Sequence, residues 1–222
     1  MGQTWAMEFN GYKITPYAIL VGADLRRGEL KSALLSWADL SGANLYCAVL
    51  EDADLYCADL PNANLSGADL MNANLSGANM AGANLLNAVL SNAKLSHTNL
   101  LGAQLAGAFL DGAILSDTNL HNADLSCAEL SGAELTRANL ITANLVKANL
   151  INASLTEANL VAANLTAADL SNANMPFADL RGANLSGANM ARADLSHANL
   201  LGAILTGANL SGALMPDGTI RN

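Results

Sequence analysis

Histidines, cysteines and carboxylates are the residues of this 222-residue chain with chemistry to offer. His97, His121 and His197 are candidates for metal binding or proton transfer. Cys47, Cys57 and Cys127 are candidates for a disulfide or a redox thiol. Nineteen Asp and Glu supply acids in quantity. None of these residues falls in a nucleophile motif, a phosphate-binding loop or a metal-ligand spacing. Whether any of them meet depends on the elements that carry them.

Those elements obey one rule. In "SGANLYCAVLEDADLYCADLPNANLSGADL", residues 41–70, a leucine stands at every fifth position with an alanine two residues before it. The frame runs without insertion from Ala18 to Asp217, about forty pentads. The central residue is Leu throughout, except at Met80, Met175, Met190 and Met215, and the alanine is replaced at Gly28, Thr98 and Thr118. The residue between them is usually Asn or Asp, and two small or polar residues follow. A helix turns ~100° per residue, which would scatter such leucines over every face. The many Gly, Asn and Ser residues also disfavour helix interiors. A flat strand alternates with period two, which would send successive leucines to opposite faces. Turning the chain at every pentad resolves the conflict: Ala and Leu point inward together, and the tail residues form the corner.

Segments such as "ANLSGADLMNANLSGANM" resemble the pentapeptide-repeat family, whose consensus is A-(D/N)-L-x-x. The resemblance spans most of the chain. It implies an all-β solenoid, a right-handed four-sided (quadrilateral) β-helix with four pentads per coil and about ten coils. At ~4.8 Å between coils the rod is ~48 Å long.

The ends differ. Residues 1–17 lie outside the frame and hold Trp5, Phe9, Tyr12 and Tyr17; in "MEFNGYKI", Asn10-Gly11 between alternating runs predicts a hairpin that caps the first coil. The expected organisation is an aromatic hairpin or strand cap over 1–17, the β-helix over 18–217 and a tail over 218–222. The tail is similar to those of cyanobacterial members. A thinly capped last coil would allow a homodimer through the C-terminal end. The start lacks a basic segment and an apolar core, which argues against a secretory signal. The longest uncharged run, Leu70 to Ala93, is interrupted by asparagines that hydrocarbon would not tolerate, so no membrane span is expected. The expected location is cytoplasmic.

In such a coil, residues twenty apart stack. His97 and His197 then share a face but stand five coils apart, ~24 Å, too far for one metal ion. Cys47 and Cys127 are four coils apart, and Cys57 is on the opposite side from Cys47, so free thiols are expected. No catalytic residue, cofactor or metal site is assigned. Thr98 and Thr118 are one coil apart on one side, placed to bond each other or the backbone. Asn79, Asn99, Asn119, Asn139 and Asn159 form a column suited to an amide ladder.

Function must therefore lie in the outward positions. Val89 and Phe109 are neighbours in one column, and Ile114 follows on the next face of the same coil as Phe109. Leu101, Ile141, Val161 and Leu201 fall in a second apolar column. Contiguous apolar surface points to a partner. The first reading is a non-catalytic rod that scaffolds an unknown protein partner. With formal net charge −9 and only ten Lys and Arg, direct nucleic-acid binding is not expected. Some family members mimic DNA and bind DNA gyrase, and the acidic balance makes that the alternative. Against it, the acids are spread over all four faces, and the C-terminal helix that pairs those members is not seen.

Overall fold

The structure, a computed structural model, describes residues 7–221. Ala18 to Met215 winds as a right-handed, four-sided β-helix. Residues twenty apart form parallel single-residue rungs, and these run unbroken up each side: from Ile19 to Asn199, from Asp24 to Ile204, from Glu29 to Asn209 and from Leu34 to Leu214. The sides are named below by their first rung.

One rung shows why the pentad works. Leu25 N–H donates to the Asn44 carbonyl (2.8 Å), and Asn44 N–H donates back to the Ala23 carbonyl (2.9 Å). The residue between Ala and Leu thus ties its coil to the one before, and Leu ties it to the one after. Ala43 and Leu45 on either side of Asn44 are fully buried, as are nearly all their counterparts. Each such Leu contributes about 1.5–3 kcal/mol through burial, and Ala keeps the tube narrow enough for leucines to stack.

The corner is a β-turn closed by Ala43 N–H to the Leu40 carbonyl (2.9 Å). Its third residue has positive φ at every corner from Tyr17 to Gly212, as at Gly42 (63°), Asn62 (56°) and Cys57 (53°). That conformation explains the Gly and Asn at this position. Cysteine, arginine and even Phe177 (59°) adopt it too, because their backbone N–H is held by the next coil, as Cys57 N–H is by Ser76 O (3.0 Å).

Asn and Asp before the leucine are explained by a hook. Asn64 Oδ1 accepts from the Ser66 backbone N–H (3.2 Å) and hydroxyl (2.7 Å), pinning the corner. The amide then donates toward the preceding coil: Asn79 to Asp59 (3.3 Å), Asn99 to Asn79 (3.0 Å), Asn119 to Asn99 (3.0 Å) and Asn139 to Asn119 (3.1 Å). Asp only accepts, so it begins ladders. The bonded ladder runs Asp59 to Asn139; the Asn159 oxygen caps Val161 N–H (3.2 Å) as its counterparts do, without extending the ladder. The buried threonines do not bond each other. Thr98 donates to the Leu75 carbonyl (2.8 Å) and Thr118 to Leu95 (2.7 Å), so no buried side-chain polar atom is left unsatisfied among the described residues.

At the N-terminal end, β1 (Met7–Phe9) and β2 (Tyr12–Ile14) form an antiparallel hairpin about Asn10-Gly11, both at positive φ (49° and 80°). Met7, Phe9 and Tyr12 pack on the first coil. Gly28 departs from Ala because a Cβ there would lie 3.3 Å from the Phe9 ring and 3.0 Å from the Leu25 carbonyl. Trp5, counted with the cap in the sequence, lies outside the described residues. At the other end the tail turns back, with Ile220 antiparallel to Leu214, but it covers one side. Leu200, Leu205 and Leu210 of the other three sides stay half-buried.

The hooks make the fold sensitive to acid. The Ser41 hydroxyl and N–H hold the Asp39 carboxyl below its ordinary range, and the Arg181 guanidinium does the same for Asp179. A carboxylate whose pKa is lower folded than unfolded adds stability above the unfolded value, and that stability is lost as pH falls through the folded value. The thermal midpoint is therefore expected to be level from about pH 8 to 5 and to fall below about pH 4. Scanning calorimetry across that range checks it; a flat profile down to about pH 2 would contradict the hooks.

Candidate interaction surface

The structure sets the chemistry-bearing residues apart. The three cysteines are free thiols at separate corners. Among the described residues, no group of His, Cys, Asp and Glu is arranged to hold a metal ion. Among the described residues, no helix is long and apolar enough to cross a membrane. A shallow recess lined by Asn10, Asp24, Arg26, Arg27 and Tyr46 lies beside the hairpin. Its acid is committed, since Arg26 clamps Asp24 through two bonds of 2.8 and 2.7 Å, and the guanidinium lowers the carboxyl's pKa.

The outward apolar residues are where the surface differs from a plain repeat. Val89 and Phe109 are rung partners on the Glu29 side, between Asp69 and Glu129. Val89 is half-buried and Phe109 is 45% exposed. Ile114 stands on the Leu34 side between Lys94 and Glu134, so a corner separates it from the pair. In the second column His121 stands between Leu101 and Ile141, and Arg181 between Val161 and Leu201. Leu101 and Leu201 are exposed, and the adjacent Ile141 and Val161 are half-buried. This column is two exposed leucines around one aliphatic pair rather than a continuous stripe.

A larger apolar surface lies at the edge where the Leu34 side turns into the Ile19 side. Tyr17 and Trp37 stack there (6.5 Å, 7°), and Tyr56 meets Trp37 edge-on (5.7 Å, 81°). Leu34 and Ile19 flank the aromatics from the two adjoining sides, 59% and 83% exposed, and Trp37 itself is 51% exposed. Reading only the residue before each leucine misses this edge. Stepping by twenty along the third turn residue would have found Tyr17 above Trp37.

A family model described as pentapeptide repeats matches residues 33–72, 68–103, 103–140, 143–176 and 173–212, in eight copies. Among solved structures, HetL, a pentapeptide repeat protein involved in heterocyst differentiation regulation in the cyanobacterium Nostoc sp. strain PCC 7120, is 40% identical; the match covers 91% of this chain and 87% of that one, with TM-score 0.46. A pentapeptide repeat protein from the Arabidopsis thaliana thylakoid lumen is 36% identical over 45% of this chain and 69% of that one, with TM-score 0.42. QnrB1, a plasmid-mediated fluoroquinolone resistance protein, is 19% identical over 79% of this chain and 86% of that one, with TM-score 0.47. No curated protein matches the chain.

Proposed function

This chain belongs to the pentapeptide-repeat family, and on that premise we propose that it is a non-catalytic rod that scaffolds a protein partner through outward apolar side chains. The observation that carries the reading is the exposed aromatic edge of Tyr17, Trp37 and Tyr56. Rigid aromatic side chains are the commonest anchors of protein interfaces, and none of these three is needed to fill the core. Val89 and Phe109 form the second candidate patch, with Ile114 around the corner; Leu101, Ile141, Val161 and Leu201 form a third.

The test is capture of partners from native cell extract by wild type, by Trp37→Ser/Tyr56→Ser and by Val89→Lys/Phe109→Lys. Lysine suits the second patch because Asp69 and Glu129 flank it, whereas glutamate would stack four acids in line. A specific partner reduced at least tenfold by one variant, with thermal midpoints within a few degrees of wild type, supports the reading. Full retention by both variants would overturn it.

DNA mimicry toward gyrase is the second reading. Its support is the net charge of −9. Duplex DNA presents a phosphate every ~3.4 Å per strand, while here the only acids on adjacent rungs before a leucine are Asp39 and Asp59. An unchanged gyrase supercoiling rate in excess protein would remove this reading.

A further inference from the structure

The edge that begins with Tyr17 and Trp37 continues up the rod in the same turn position. It reads Cys57, Gly77, His97, Asp117, Arg137, Glu157, Phe177 and His197, one per coil. At this position the other three edges carry only scattered charges (Arg27, Asp52, Lys147 and Arg192) among Gly, Asn, Ala, Ser, Thr and Cys. Four consecutive ionisable residues are thus confined to one edge, and all lie on the surface.

Within the chain only the middle two pair. Arg137 grips Asp117 through two parallel bonds of 2.8 Å each, and the guanidinium lowers that carboxyl's pKa. Among the described residues, neither His97 nor Glu157 makes a side-chain hydrogen bond. The order donor, acid, donor, acid has a property that a mixed surface lacks: it is complementary to its own reverse. A two-fold axis across the edge, midway between the Asp117 and Arg137 rungs, sets each residue opposite one of opposite character. Asp117 faces the second copy's arginine, and His97 faces its glutamate. The spacing matches without adjustment, because both ladders have the same rung repeat of ~4.8 Å. The next rungs also fit. Phe177, exposed and stacked on His197 (4.8 Å, 10°), comes opposite Gly77, which has no side chain to obstruct it.

We propose that this edge is a self-recognition surface, at which two copies of the chain pair side by side and antiparallel through the His97–Asp117–Arg137–Glu157 ladder. A two-fold contact of this kind is isologous, each residue meeting its counterpart twice. The contact is narrow and its charges are exposed, so the dimer is weak and salt-sensitive. The Glu29 sides, with Val89 and Phe109, are left free. A dimer therefore presents two copies of that patch to a partner, which raises avidity without new contacts. Tyr17 and Trp37 lie on the same edge but outside the His97–Glu157 span, and Val89 and Phe109 lie on another side, so the charge reversals below leave both candidate partner patches unaltered.

Sedimentation velocity at low salt tests it, with three proteins: wild type, Arg137→Asp and Asp117→Arg. Wild type is expected to rise with concentration from the 22.8 kDa monomer toward twice that mass, and to return to monomer in about 0.5 M salt. Each variant alone sets like charges opposite one another and is expected to self-associate at least tenfold more weakly. Mixed in equal amounts, the two restore both opposite-charge contacts across the axis and are expected to form a heterodimer. Thermal melts on each variant confirm that the rod is intact. Wild type that stays monomeric, or an equimolar mixture that does not associate, would overturn the proposal. Association that survives both reversals but is abolished by Leu205→Lys would place the contact at the open last coil and also overturn it.

Discussion

Leu110→Ala is expected to cost about 2–5 kcal/mol of stability, while Phe109→Ala, one residue away, costs less than about 1 kcal/mol. Chain position is nearly the same, and the larger side chain is the one removed more cheaply. The reason is direction. Leu110 is fully buried, stacked between Leu90 and Leu130 of the adjoining coils, whereas Phe109 is 45% exposed on the outer face. Every interior coil is tied to both neighbours on four sides, so the tube cannot collapse to fill the cavity a missing leucine leaves, and the cost should sit toward the upper end of that range. Urea unfolding of the two variants beside wild type measures it. Equal losses would mean that the inward and outward assignment is wrong.

The second large effect contrasts two deletions. Removing residues 141–160 takes out one whole coil and joins Leu140 to Val161, so each remaining residue keeps its side and its inward or outward direction. The rod is expected to shorten by ~4.8 Å and to keep a cooperative melt, because each coil contacts only its neighbours. Removing Gly132 alone is expected to be far worse. Ala133 would be drawn into the positive-φ corner and Leu135 out of the core column, with a loss above about 4 kcal/mol. Circular dichroism melts separate the two outcomes. Similar damage from both deletions would contradict a rod built from independent coils.

Much of this fold was legible because inward direction leaves a strong mark on composition. Leucine every fifth residue with alanine two before is incompatible with a helix or a flat strand, and the family resemblance supplied the four sides. The reason for Asn or Asp before each leucine was less visible. Position alone suggests the column from Asn79 to Asn159, but the polarity of its bonded part, with each amide donating toward the preceding coil and Asp59 beginning the line, depends on side-chain geometry. The surface was the least legible. The pairing of Val89 with Phe109 followed from arithmetic, yet the corner that separates Ile114 from them follows only from the turn. The aromatic edge at Tyr17 and Trp37 and the charged ladder above it sit at the third turn residue. Gly, Asn and Cys there read as corner fillers, which hides the surface chemistry of the residues that replace them. Folding constrains that residue only to accept positive φ, which leaves its side chain free to vary with function.

The outer surfaces exist only if residues twenty apart stand one above the other, and one cross-link tests that directly. A Cβ built on Gly77 would lie 2.9 Å from the Cys57 sulfur, about the Cβ-to-partner-sulfur distance that a ~2.05 Å S–S bond requires. The corner accepts cysteine, since Cys57 already occupies it at φ 53°. Gly77→Cys is therefore expected to form a disulfide with Cys57 on mild oxidation, leaving Cys47 and Cys127 as thiols, and to raise stability by about 3 kcal/mol for a loop of this length. Peptide mapping by mass spectrometry under non-reducing conditions reads the result. A 57–77 linkage is the outcome this structure requires. A free thiol at position 77, or its pairing with Cys47 or Cys127, would contradict the twenty-residue coil and the surfaces built on it.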